Sequence, residues 1–240
     1  DHSTISVPGR GDEVAYMTTE YLATRRLFVE PLTSRTSSTQ PARLGAIFTA
    51  HGKPKYIRAD GEFNSDCLLR FCEEQGIQIQ RTAPNKGHQN GHVEQAQHQI
   101  GLTALAMLFH AGAPTELWPW AVRHACFLWN CTPHGQSKRS PFRLHDGKAM
   151  DPSLLHGVWG QRVYVHVPRS QRGPAKISPH SKYMTLVGVR EGSKAYEVMD
   201  HDGRILLRTD VYFPKDQIIS GFTGQPMGPS QPSGTAGHQN

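Results

Sequence analysis

The chain has 240 residues, 37% of them hydrophobic and 19% charged, with a formal net charge of +6. That is enough for one generous domain, or a medium domain and a small one, each with an ordinary packed core. No apolar run is long enough to span a bilayer as a helix, which sets membrane-spanning classes aside.

No secretory leader precedes the first residues, and the chain opens on Asp1 without an initiator Met, so we expect a piece of a longer protein. VAYMTT (14–19) and RRLFVEPL (25–32) are rich in β-branched and aromatic residues and read as two strands, with 20–24 as the turn. Residues 36–49 carry Ala42, Leu44, Ala46 and Ile47 at helical spacing. PKYIRA (54–59) reads as a short strand that stops at Asp60-Gly61.

The Ser65 hydroxyl is placed to cap a helix lined by Leu68, Leu69 and Cys72, and Gly76 ends it in the left-handed position. IQIQRT (77–82) alternates as a strand does, and 83–91 is a loop with Pro, Gly and Asn. A long helix is expected over 92–110, with Val93, Ala96, Ile100, Ala104, Met107 and Leu108 on one stripe. Thr115 is placed to cap the next helix, TELWPWAVRHACFLWNC, where Pro119 falls early enough to be tolerated. Trp118, Trp120 and Trp129 read as packing residues.

From about Val158 the pattern changes to short strands between Gly, Asp and Ser turns, the pattern of a small antiparallel β-barrel. The expected division is therefore a catalytic-type α/β domain over 1–135, a basic linker over 136–157, the barrel over 158–216, and a disordered Gly/Pro/Ser/Gln tail over 217–240.

Charge is unevenly shared. Residues 1–110 hold 11 Lys/Arg against 11 Asp/Glu, whereas 111–216 hold 15 against 9. The basic second part suits a polyanion. Candidate phosphate contacts are Lys86, then Lys138, Arg139 and Arg143 in the linker, then Arg162, Arg169, Arg172 and Lys176 near the first barrel hairpin. A solvated surface explains each of them equally well. Cys67, Cys72, Cys126 and Cys131 read as reduced packing thiols. A four-Cys metal site is the weaker reading, because residues five apart on a helix face different ways.

Three acids stand where chemistry would need them. Asp1 precedes the first strand residues, Asp60 ends a short strand, and Glu94 lies in the first turn of the long helix. A strand end and a helix start meet when the helix packs on the sheet. Carboxylates so gathered repel unless a cation joins them. Hard oxygen donors suit Mg²⁺, and a metal pair ~4 Å apart serves phosphoryl transfer. The ordinary alternative is a turn residue at each strand end and a dipole-favoured Glu at the helix start.

Several segments resemble the integrase of copia-type long-terminal-repeat retrotransposons: IRADGEF, FCEEQGI, RTAPNKGHQNGHVEQ, LWPWAVRHACFLWNCTP, SPFRLHDGKAMDPSLLHGVWG and AYEVMDHDGRILLRTDVYF, in that order up to about Phe213. The resemblance implies a ribonuclease-H-like mixed sheet with flanking helices and an Asp-Asp-Glu triad binding two Mg²⁺ or Mn²⁺ ions. Asp60 matches the acid of the family's Asp-Asn-Gly-Gly-Glu-Phe word, Glu94 the acid of its Asn-Gly-x-x-Glu-Arg word, and Asp1 would be the first acid. Which acid bridges the ions stays open. The resemblance also implies trimming of element DNA 3′ ends and attack of the freed hydroxyl on a target phosphodiester. Double-stranded DNA and further copies of the chain would be the partners, and the nucleus the place of action.

Three features depart from the family. RADGEF is two residues shorter than the family word, Gln95 stands where Arg is usual, and 92–110 contains no Lys or Arg. They keep a second reading open: a catalytically decayed remnant that binds DNA or oligomerises. A stand-alone ribonuclease-H-like nuclease is a third, disfavoured by the barrel.

Overall fold

A computed structural model describes residues 2–59, 65–81, 91–135, 137–171, 179–215, 218–225 and 227. It falls into two compact units, one of residues 1–105 and 114–150, the other of 106–113 and 151–240.

The first unit is mixed α/β. Strands β1 (His2–Thr4), β2 (Ala15–Tyr21) and β3 (Arg26–Leu32) form an antiparallel sheet in that order. Helix α1 (Gln40–His51), strand β4 (Tyr56–Ala59), helix α2 (Asp66–Glu74) and strand β5 (Gln78–Arg81) follow, with β4 and β5 parallel. Helices α3 (Gly91–Ala111), α4 (Trp118–Cys131) and the short α5 (Pro141–Asp146) complete the helical set among the described residues. The unit is mixed α/β with flanking helices, as expected from the sequence, and its described strands form two sheets, β1-β2-β3 and β4-β5.

Period-two alternation tells why β2 is buried on both faces. Ala15 and Met17 join Leu32, Leu44, Ile47, Phe48, Leu68, Cys72 and Ile77 in one core, which α1 and α2 cover and which reaches Ile57 and Ile79 of the parallel pair. Tyr16, one step out of phase, faces the other way. Its hydroxyl donates to the Gln97 carbonyl of α3 at 3.4 Å, and its ring lies 6.1 Å from that of Trp118 in α4. The sheet is thus sandwiched between helices.

Among the described residues, strand β3 has no strand beyond it, and α4 supplies a partner. Asn130 Oδ1 accepts from Leu27 N at 3.0 Å, and its Nδ2 donates to Leu27 O at 2.8 Å. One amide side chain so imitates a neighbouring strand for a buried peptide.

The capping expectations held at Ser65, whose Oγ accepts from Leu68 N at 3.3 Å, and at Gly76, with φ of 66°. Thr115 is different. It lies inside a 3₁₀ turn, Thr115–Leu117, and no side chain caps that turn or α4. The preceding Pro114 sets the entry with extended backbone, leaving no role for a hydroxyl cap. The cysteines are free, Cys67 exposed and Cys72 buried, as opposite helix faces require.

The second unit is antiparallel: β6 (Arg162–His166), β7 (Ser181–Arg190), β8 (Ala195–Met199), β9 (Ile205–Arg208) and β10 (Val211–Tyr212) pair in the order β10-β6-β7-β8-β9. Val163, Val165, Met184, Leu186, Val187 and Val198 are its buried face.

Two expected boundaries meet ordered structure. The stretch 136–157 contains α5, which packs on α4 and β3, capped by Ser140 and closed by Gly147 at φ of 73°. The sheet unit runs on past residue 216, since Gln161 bridges Ser220 and the Ser220 hydroxyl donates to Ala111 O at 2.6 Å. The rest of the expected tail, 228–240, lies outside the described residues.

Candidate active site

Glu94 sits in the first turn of α3, exposed, where the positive end of the helix dipole favours a carboxylate. Its level along the sheet follows from its neighbours. Gln97 meets Tyr16, and His92 is close enough to Glu20 for its charge to be felt there. These two residues of α3 bracket a short length of β2, which places the turn carrying Glu94 about level with Thr18. In the adjacent strand, His2 pairs with Met17, so β1 begins at that same level. Strand β4 ends at Ala59, immediately before Asp60. Asp1 and Asp60 themselves lie outside the described residues.

A further acid, which the sequence reading passed over, belongs to this neighbourhood. The Glu20 side chain is 2% exposed, and its Oε1 lies 3.0 Å from Arg25 Nε. Its Oε2 is buried without a hydrogen-bond partner among the described residues. Burial raises its pKa above the usual carboxylate value, while Arg25 and then His92 pull it back down. No motif marks Glu20. Only its alternation with Tyr16 and Thr18 along β2 assigns it to the α3 side.

The donor set expected here consists of carboxylates alone. Hard oxygens of this kind fit Mg²⁺ or Mn²⁺ and do not fit a thiophilic metal.

The expected phosphate contacts divide by position. Lys138, Arg139, Arg143 and Arg169 are exposed. Arg162 is half-buried, with its guanidinium stacked on the Tyr183 ring at 4.5 Å, so its planar face is already in use. Lys86, Arg172 and Lys176 lie outside the described residues. Register reveals something the one-dimensional pattern hid: Tyr164 pairs with both Tyr183 and Tyr212. All three are exposed, at 38%, 39% and 63%, and form a tyrosine row across β10, β6 and β7 beside Arg162. Trp118 is buried and donates from Nε1 to Val7 O at 2.9 Å, a packing role as read from the sequence.

Residues 161–226 match the family described as the retroviral polymerase SH3-like domain. The five-stranded sheet of the second unit fits that small barrel. Over 170 residues, 69% of the chain, it is 29% identical to the retrovirus-related Pol polyprotein from transposon TNT 1-94 of Nicotiana tabacum. It spans only 13% of that polyprotein's length. Two solved structures are also similar. One is the HTLV-2 integrase catalytic core domain in complex with magnesium, in trimeric form, at 17% identity and a TM-score of 0.48, covering 60% of this chain and 90% of that one. The other is the catalytic core domain of BIV integrase, at 13% identity and a TM-score of 0.49, covering 61% and 91%. These likenesses are in keeping with the resemblance of the sequence words to the copia-type retrotransposon integrases. Among the described residues, no helix is long and apolar enough to cross a membrane.

Proposed function

We propose that this chain is the catalytic and DNA-handling part of a copia-type integrase. It performs metal-dependent 3′-end processing and strand transfer, inserting element DNA into host DNA. The observation that supports this most is the level of Glu94: the first turn of α3 lies over β2 at the level where β1 begins with His2, the residue that follows Asp1 in sequence. Asp1, Asp60 and Glu94 would hold two Mg²⁺ or Mn²⁺ ions. When bound, such a pair supplies activation of the attacking oxygen and charge stabilisation of the leaving one. Glu20 is buried near this turn, with the Arg25 guanidinium opposing its charge.

Exposed Lys138, Arg139 and Arg143 of the first unit and Arg169 of the second hold duplex phosphates, and the tyrosine row with Arg162 offers flat faces on the second unit. The partners are the element ends, target DNA and further copies of the chain, in the nucleus. One observation favours the alternative of a decayed remnant. Helix α3 has no Lys or Arg and exposes Leu102, Leu105 and Phe109, so it offers no charged contact to phosphate.

A strand-transfer assay with labelled duplex ends and Mg²⁺ or Mn²⁺ tests the proposal. The wild type should give joined product, and Glu94→Gln should remove it by at least a factor of about 10² while both proteins still retard DNA. Equal absence of product from both, with DNA still retarded, would establish the remnant instead.

A further inference from the structure

Away from the acids, the first unit carries a second cluster with a different donor set. His51 closes α1, and His145 and Asp146 are the last two residues of α5. One ligand atom from each of the three lies within 4.8 Å of the others. Among the described residues, this is the one group of three or more His, Cys, Asp or Glu side chains so arranged.

The hydrogen bonds around His145 fix its tautomer. Its Nε2 lies 3.1 Å from the His51 carbonyl oxygen, which only accepts, so Nε2 carries the proton. In the neutral ring Nδ1 is then the bare nitrogen, and it faces the Thr24 hydroxyl at 3.1 Å. An imidazole that donates one N–H to a backbone carbonyl and offers the other nitrogen is the arrangement typical of metal-bound histidine. No hydrogen bond from the described residues holds the His51 ring nitrogens. That ring is held by packing, 4.4 Å from Phe28 between centroids. Tyr21 packs edge-on to His145 at 4.7 Å, so the donors sit in an aromatic wall open on the exposed Asp146 side.

We propose that His51, His145 and Asp146 form a binding site for a borderline transition-metal dication, Zn²⁺ in the first place, that fastens α5 to the end of α1. Two imidazoles and a carboxylate are Zn²⁺ donors, with solvent or the Thr24 hydroxyl at a fourth position. They are poor Mg²⁺ donors, which separates this site from the carboxylate one. Donor atoms of a tetrahedral Zn²⁺ site, bound at about 2.0–2.1 Å, stand within that limit of one another. The opposing charge is Arg26. Its Nη2 lies 4.0 Å from Asp146 Oδ2, and its guanidinium is stacked on Phe142 at 4.7 Å and Phe28 at 5.3 Å. It weakens the site and leaves the second carboxylate oxygen available.

The test uses the full chain, first freed of metal with a chelator. Titration with Co²⁺ should produce the intense visible absorption of a tetrahedral ion, and Zn²⁺ should displace it and raise the melting temperature. Asp146→Asn, at an exposed position, and His145→Gln should each weaken Co²⁺ binding at least about tenfold and cancel the Zn²⁺-dependent rise. Both variants should keep the wild-type circular dichroism. Metal uptake in which wild type and both variants have the same affinity would place the ion on other His or Cys side chains and overturn the proposal. So would a wild type that takes up no Co²⁺ at all.

Discussion

The two units bury polar groups in different ways. Among the described residues of the second, the buried polar ones are Gln161, Thr185 and Ser220. Gln161 Oε1 accepts from Val158 N at 2.9 Å, and Ser220 Oγ accepts from Phe222 N at 3.0 Å while its hydroxyl donates to the distant Ala111 carbonyl. The first unit buries Thr18, Arg26, Gln40, Gln97, His124 and Asn130, and its best-defined bond of this kind joins residues about a hundred positions apart. The hairpin sheet pairs its peptide groups strand to strand, and Ser220 adds a long-range bond to the Ala111 carbonyl. An open sheet under helices must borrow side chains to do so, and this is where its specificity and its weak points lie.

The largest break in that contrast should come at Asn130. Asn130→Leu leaves Leu27 N and O buried without their amide partner, which costs on the order of 4 kcal/mol in urea unfolding. A loss below about 1 kcal/mol would mean that water or a shifted strand replaces the amide.

His124 comes next. It is fully buried, and desolvation lowers its pKa to about 4. The unfolded chain, with the histidine near 6.5, takes up the proton first as pH falls. Stability is therefore lost from about pH 6.5 down towards 4, by up to about 3 kcal/mol. His124→Gln should flatten that limb of the stability–pH curve.

Glu20 has the opposite sign. Its folded pKa lies above the unfolded 4.5, so the fold favours the protonated form, and stability falls as pH rises through the folded value. Glu20→Gln should be more stable than wild type at pH 7, with the difference gone below about pH 4.5.

The smallest effect belongs to the second unit. Asp151 caps the 3₁₀ turn at Pro152–Leu155 and lies 2.8 Å from Lys194 Nζ. Bonds from Lys194 and then Ser153 hold its carboxyl below the ordinary range, so what it adds is present above pH 3.8 and lost below. Asp151→Asn should change neutral-pH stability barely measurably, because surface pairs contribute little.

Much of this fold was legible in one dimension because it rests on short-range rules. The β-branched and aromatic content of 14–19, the Ser65 cap and Gly76 each act over a few residues, and each was recovered. Helix α5 carried the same kind of signal, Ser140-Pro141 before it and Gly147 after it, but basic composition spoke louder and the segment read as a linker. Asn130, Glu20 and the tyrosine row left no local trace, since each depends on register or on a helix packing from far along the chain. The candidate site was legible through Asp60 and Glu94, whose surrounding words carry the family resemblance.

The central claim is that acids distant in sequence share a pair of cations, and an anomalous difference map from crystals soaked in Mn²⁺ tests it most directly. The account predicts two peaks about 4 Å apart among the carboxyl groups of Asp1, Asp60 and Glu94, both lost in Glu94→Gln or reduced to one. Peaks elsewhere on the surface, with those three side chains bare, would contradict it.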